Sequence, residues 1–331
     1  MAKGMDRPLR CRPHFVEKVW GGRRMAELLG KELPDGPIGE SWEISFRPDA
    51  PTPVAGGELD GLPLHELAAQ YPDELLGPHV TAKFGPEGPL LLKFIDAAAD
   101  LSVQVHPDEE YEAAHEGAEA KSEAWYILAA EPGSRLIRGV EGADARRFRE
   151  LLEAGRLEEC LHDVPVSGGE VMDLPARTLH ALGTGVLIAE IQQSSDTTYR
   201  VYDWNRVGLD GKPRDLHVEQ ALDVIDFSPP AGDLAEGSAV DSPPGVDVVS
   251  YIDGPRFVFE RLTVKEEAVL ASPKGRFSEL VCIGGAGQVA GSGGEEDVSL
   301  GVSLLVPAAV DELTLRPGGG EKMELLRFHV A

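Results

Sequence analysis

Leu90 to Asp108 reads LLLKFIDAAADLSVQVHPD. Its apolar runs predict two strands joined by a turn at Ala99-Asp100. In the second run Gln104 and His106 alternate with Val105, so on a strand the amide and the imidazole share one face while Val105 points the other way. Pro107 ends that strand. Asp108-Glu109-Glu110 then places acid in the first turn of a helix, where the dipole favours it.

Working outward, the same strand grammar dominates. Gly39-Glu40-Ser41-Trp42-Glu43-Ile44-Ser45 follows the glycine punctuation of Trp20-Gly21-Gly22, and alternates as a half-buried strand does. Glu123 to Ala129 is strand-like, as are VMDLPA (171–176), VLIAEIQQ (186–193) and TTYRVYDW (197–204). Helical spacing is confined to Leu64–Leu76, broken by Pro72 into two short helices, and to Ala143–Cys160, with Phe148, Leu151, Leu152 and Leu157 on one side. SPPAGDLAEGSAVDSPPG, 228–245, has no apolar period and reads as a linker. Short strands resume beyond it: RFVFERLTV, FSELVCIG, SLLVPA and MELLRFHV. The cluster Gly284-Gly285-Ala286-Gly287 lies between two strands and opens no helix, so it predicts a turn rather than a phosphate loop. The fold class is mainly β with a few short helices, divided as 1–227, a linker over 228–245, and a smaller β-domain over 246–331. Both halves suit similar small β-barrels.

Composition agrees. Glycine (38) and proline (25) make up close to a fifth of the 331 residues, against an average of roughly 12%, as many short strands and turns require. A formal net charge of −26 repels nucleic acid and anionic lipid, which argues against both as partners. A phosphorylated metabolite would be repelled too, unless local cations reverse the field at its site. Cys11, Cys160 and Cys282 form no CxxC pair or disulfide framework and read as ordinary thiols in a reducing compartment. The opening residues carry no apolar signal core and no run reaches membrane-spanning length, so a cytoplasmic protein is expected.

The chemistry is carried by four segments. Gln104 and His106 form the first. In the second, Lys121-Ser122-Glu123-Ala124-Trp125-Tyr126, Lys121 and Glu123 share a face. A solvated edge-strand ion pair is the ordinary alternative, but the apolar continuation through Leu128 puts the pair on a buried strand, where charge needs a reason. His180 ends a strand turning at Gly183. Two imidazoles, a carboxylate and an amide make a mixed nitrogen and oxygen donor set that suits zinc, tolerates other first-row divalent ions and leaves room for water. In the fourth segment Arg200, Tyr202, Trp204 and Arg206 alternate on one face, the inward cations that a phosphorylated substrate demands. Salt bridging to the abundant carboxylates remains the alternative for Arg206.

These segments, in this order, resemble the type I mannose-6-phosphate isomerases, particularly their short bacterial form. The resemblance is carried by KVWGG at Lys18–Gly22, GESWEIS at Gly39–Ser45, LLLKFIDAAADLSVQVHPD at Leu90–Asp108, KSEAWYIL at Lys121–Leu128, LPARTLHALG at Leu174–Gly183 and AEIQQSSDTTYRVYDWNR at Ala189–Arg206. It covers roughly 10–225; the C-terminal part resembles the family's second β-domain only loosely. It implies cupin-type β-barrels (jelly rolls) and one zinc ion held by Gln104, His106, Glu123 and His180. Arg200 falls on the family's active-site arginine, and Arg206 on a basic position that is lysine in several members. Lys93, Lys121, Glu190 and Asp196 match site positions, and Ser102 matches a serine near the bound phosphate.

The implied reaction interconverts mannose 6-phosphate and fructose 6-phosphate through a cis-enediol. Zinc with Arg200 would stabilise the negative oxygen. Glu190 is the first candidate for the base, with Lys93 and a hydroxide on the metal as rivals. Arg206 and Lys121, helped by Ser102, would hold phosphate, and Asp196 would contact the sugar. The implied partner is a small sugar phosphate, and the implied state a monomer or weak homodimer. Other readings are a metal-dependent oxygenase of the same fold, disfavoured by glutamine as a ligand, a sugar-phosphate-binding protein without turnover, and an isomerase that prefers another hexose phosphate.

Overall fold

The computed structural model describes residues 3–230 and 232–331, so Met1 and Ala2 of the opening segment and Ala231 of the stretch read as linker lie outside it. Mainly β architecture is what it shows. A six-stranded antiparallel sheet runs in the order His14–Gly22, Ile38–Ser45, Leu90–Ala97, Val186–Gln193, Glu123–Ala130, Val171–Leu174. A five-stranded sheet, ordered Tyr199–Tyr202, Val103–Val105, His180–Leu182, Arg135–Val140, Leu161–Pro165, forms the other wall of this cupin-like half. The two predicted strands of Leu90–Val105 are both present, but they are no hairpin: one lies in each sheet.

Seven strands build a third sheet, which includes Ser278–Gly284, Met323–Val330 and Phe257–Val264, and four build the last. Aliphatic side chains such as Leu262, Leu280, Leu304 and Leu325 fill the space between these two. On its other face the seven-stranded sheet offers Phe259, Val281, Leu326 and Phe328 to Phe94, Leu187 and Ile191 of the six-stranded sheet, one continuous apolar contact between the two halves. Ser238–Val240, within 228–245, forms an edge strand on Val246–Asp253. Near the other end of the chain, Leu9–Arg10 pairs with Leu304 and Leu305.

Several local expectations change. Ile38–Ser45 is buried along its whole length rather than on one face, because the C-terminal half covers the side assigned to water. The helix expected over Ala143–Cys160 is Ala145–Glu153 followed by a short 3-10 turn, Leu157–Cys160; Gly155, at φ 67°, breaks it. Leu64–Gln70 and Pro72–Leu75 are the two predicted helices. Gly285, at φ 68°, forms a corner where the chain leaves one sheet for another, since Ser278–Gly284 and Ala286–Gly291 pair with different partners. All three cysteines are buried thiols, and burial pushes Cys282 up to about 11. No helix among the described residues is long and apolar enough to cross a membrane.

Candidate metal centre

Two cross-strand rows face each other inside the N-terminal half. On the five-stranded sheet the row is Arg200, Gln104 and His180, set by the registers Arg200↔Gln104 and His180↔Gln104. On the six-stranded sheet the row is Trp42, Lys93, Glu190 and Trp125. Glu123 and Glu190 both enter the space between the sheets, as do the rings of His106 and His180, whose centroids stand 4.9 Å apart.

The ligand atoms converge. His180 Nε2 lies 3.1 Å from Glu123 Oε1, and His106 Nε2 lies 3.5 Å from Glu123 Oε2. His106 presents Nδ1 to the Thr197 carbonyl at 2.8 Å, and His180 presents Nδ1 to the Thr178 carbonyl at 2.8 Å. A carbonyl can only accept, so each Nδ1 carries the proton and each Nε2 keeps its lone pair for the centre. Gln104 completes the set, with its amide 3.3 Å from His180 Nε2 through nitrogen. A half-turn of that amide exchanges nitrogen for oxygen and aims an acceptor at the same point.

These groups fit a cation. Both Glu123 oxygens and His106 Nε2 are buried without a hydrogen-bond partner among the described residues. Buried polar atoms are rarely left so. Burial, and then the charge of Lys121, pushes the His106 imidazole down to about 3, so it is neutral and basic at its free nitrogen. Burial would raise Glu123, but Lys121 above all holds it well below the usual carboxylate range. Lys121 Nζ stands 3.0 Å from Glu123 Oε2. The expected buried pair is therefore present, and it sits at the centre itself.

Across the gap, Trp125 Nε1 donates to Glu190 Oε1 at 2.9 Å, which fixes that carboxylate and leaves Oε2 without a hydrogen-bond partner. Lys93 Nζ lies 3.7 Å from Glu190 Oε2, 3.8 Å from Glu40 Oε2 and 4.6 Å from the centre of the Trp42 ring. Burial, reinforced by the Glu123 charge, raises the Glu190 carboxyl above its ordinary value. Glu40 behaves oppositely: burial opposes its charge, yet Lys93, Lys18 and the Trp42 indole hold it at about 2. Two buried carboxylates with shifts of opposite sign bracket one lysine.

At the rim Arg200 Nε donates to Ser102 Oγ at 3.2 Å, and Ser102 Oγ donates to Gln104 Oε1 at 3.3 Å. The strand carrying Arg200 ends at Tyr202, since Trp204 and Asn205 take φ of 55° and 53°. The alternation expected through Arg206 therefore stops short. Arg206 turns onto Asp203 at 2.8 Å and the Asp100 carbonyl, and Arg214 Nε donates to Asp203 Oδ2 at 2.7 Å. Arg206 thus forms the salt bridge that the sequence allowed. Arg200, Arg206 and Arg214 gather here against the carboxylates of Asp203 and Asp215. Asp196 is exposed, and its backbone N–H donates to Glu119 at 3.1 Å. Sequence reasoning missed Glu40, Trp42, Trp125, Asp203 and Arg214 as site residues. The i, i+2 spacing of Glu40 and Trp42 was the one signal available.

Comparison with known proteins gives the family. The family described as phosphomannose isomerase type I, catalytic domain, matches residues 9–129. A mannose-6-phosphate isomerase of Streptococcus mutans is 41% identical over 227 residues, 69% of this chain and 70% of its own. A probable mannose-6-phosphate isomerase of Bacillus subtilis is 32% identical over 315 residues, 94% and 96% of the two chains. The crystal structure of the mannose 6-phosphate isomerase from Bacillus subtilis superposes with a TM-score of 0.88 at 29% identity, covering 98% of this chain and 99% of that one. The chain belongs to the type I mannose-6-phosphate isomerases, aldose–ketose isomerases.

Proposed function

We propose that residues 1–227 are the catalytic unit of an enzyme interconverting mannose 6-phosphate and fructose 6-phosphate through a cis-enediol, with one zinc ion held by Gln104, His106, Glu123 and His180. The observation that carries the reading is the pair of Nδ1–H bonds to the Thr197 and Thr178 carbonyls, which turn both Nε2 lone pairs toward Glu123. All-nitrogen-and-oxygen donors without thiolate suit a catalytic zinc. Bound there, zinc supplies Lewis-acid polarisation of the open-chain sugar's carbonyl.

The chain's own residues do the rest. Glu190 Oε2, free of hydrogen-bond partners, takes the proton from carbon 2 of the open-chain aldose and returns it to carbon 1. Its raised pKa brings the base nearer working pH, where general-base catalysis is most effective. Lys93, between Glu40 and Glu190, passes the hydroxyl proton between oxygens 2 and 1, a role its contacts with both carboxylates support. Arg200 faces the developing negative oxygen, and Lys121 keeps Glu123 ionised. Arg206, with Ser102, supplies phosphate contacts on a rim that also carries Arg200 and Arg214. Asp196, exposed beyond the turn, is assigned a substrate contact.

The linker assigned to 228–245 and the β-domain assigned to 246–331 follow the separate apolar filling of the last two sheets. Buried free thiols support a cytoplasmic setting. The enzyme would act there as a monomer or weak homodimer on a soluble sugar phosphate. The test is to purify the protein, quantify bound metal, and follow conversion of mannose 6-phosphate before and after chelation. Stoichiometric zinc with activity lost on chelation and regained on zinc return is expected. Undiminished activity in metal-free protein sinks the reading.

A further inference from the structure

Ser122 separates Lys121 from Glu123, so its placement sets where both charged groups enter the centre. One residue grips its backbone from both sides. Ser122 N–H donates to Gln193 Oε1 at 2.8 Å, and Gln193 N–H donates to the Ser122 carbonyl at 3.0 Å. The Ser122 hydroxyl accepts from Ala176 N–H at 2.9 Å, in the loop leading to His180. Gln193 thus holds the residue that ties the Glu123 strand to the His180 loop.

We propose that Gln193 is a positioning residue for the metal centre and acts through Ser122. Gln193 is the last residue of Val186–Gln193, and its amide leaves the interior that Glu190 faces, so it reaches no reacting atom. Its other arm, Nε2, donates to Glu109 Oε1 at 3.4 Å, and Glu109 is bidentate with Arg256 of the C-terminal half at 2.8 and 2.6 Å. Magnitudes separate the two arms. The outer contact is long and ends on a Glu109 side chain that is 50% exposed, where an ion pair contributes little. The inner contact satisfies the N–H of Ser122, a residue 4% exposed, and losing it strands a buried donor. The inner arm carries the effect.

The inference rests on the zinc reading of Glu123 and His180, and its test separates the two. Zinc affinity is measured on the full chain by competition with a chromogenic chelator, alongside melting temperature and the split between kcat and KM. Gln193→Leu, which lacks the acceptor, binds zinc about tenfold more weakly, the lower end of the loss seen when a group bonded directly to a ligand is removed, and loses kcat rather than KM. Gln193→Glu keeps the acceptor oxygen for Ser122 N–H while giving up the weak donor contact to Glu109, and stays within about threefold of the parent in affinity. Arg256→Gln, which cuts only the outer arm, leaves affinity unchanged. If Gln193→Leu does not fold, Gln193→Asn, shorter by one methylene, makes the same comparison. Parental zinc affinity in the leucine or asparagine variant overturns the proposal, as does a Gln193→Glu protein that folds yet binds as weakly as the leucine variant. No zinc binding by the parent chain overturns the metal reading itself.

Discussion

Glu123 and Glu279 are two glutamates with almost the same environment by the crudest measures. Glu123 is 1% exposed and Glu279 0%, and neither has a hydrogen-bond partner for either oxygen. Their protonation nevertheless runs in opposite directions. Glu123 is held well below the usual carboxylate range by its neighbours, Lys121 above all, which outweigh burial. Glu279, on the seven-stranded sheet, is pushed well above it by burial alone. Burial does not distinguish a site from a liability; the neighbours do. Around Glu123 the unsatisfied atoms point at each other across a common centre. Glu279 has Leu305 and Phe328 as its cross-strand neighbours, and burial, with no cation to offset it, sets its shift.

The contrast can be broken first at the metal. His180→Ala removes one of the converging lone pairs, so elemental analysis should find no stoichiometric zinc. Turnover should fall on the order of a thousandfold, matching the several kcal/mol a Lewis acid supplies. Retained zinc would show that Glu123 is not held by metal chemistry. Next, Glu190→Gln keeps the shape and the bond from Trp125 but not the basicity. We expect kcat to drop about a hundredfold with KM little changed, within the range for a general base; an unchanged kcat would pass the role to Lys93.

For Glu279 the sign follows from linkage. A carboxyl whose folded pKa is raised binds more protons folded than unfolded, so its stability contribution is intact below the unfolded value near 4.3 and declines as pH rises toward the folded pKa. Glu279→Leu should therefore stabilise the protein at pH 8 by roughly 2 kcal/mol, the cost of a buried group left unpaired, and by much less at pH 4. Melting curves at the two pH values read the difference, and an equal shift at both would remove the charge from the explanation. The smallest effect is expected at the rim: Arg206→Ala should raise KM about tenfold while leaving kcat nearly unaltered, as removal of uniform binding does. Kinetics in which kcat falls and KM holds would take Arg206 out of phosphate binding.

Much of this was legible in the chain, for a definable reason. Side chains two residues apart on a strand share a face, so Gln104 with His106, and Lys121 with Glu123, could be paired from spacing alone. The short helices split by Pro72 and the run Val186–Gln193 were legible too, because punctuation and period are local. What was hidden is cross-strand. His180 neighbours Gln104 only through a register that joins residues 76 positions apart, and Glu190 meets Trp125 the same way. Glu40 shares the Trp42 face by spacing, but nothing local announces that Lys93 will stand beside it. Arg214 escaped notice because the left-handed Trp204 and Asn205 end the alternation before the chain returns to Asp203.

The pairing of Leu9–Arg10 with Leu304 and Leu305 has a consequence for biosynthesis. Those two early residues are made long before their partners exist, and synthesis must pass Val330 before the seven-stranded sheet can close, because Met323–Val330 lies between Ser278–Gly284 and Phe257–Val264. Until then the aromatic and aliphatic face of Ile44, Phe94 and Ile191 waits uncovered. Contacts of such sequence separation form late and leave sticky surface exposed meanwhile. The nascent chain should therefore be most dependent on chaperones, and most prone to clump, in the interval before its final strands emerge.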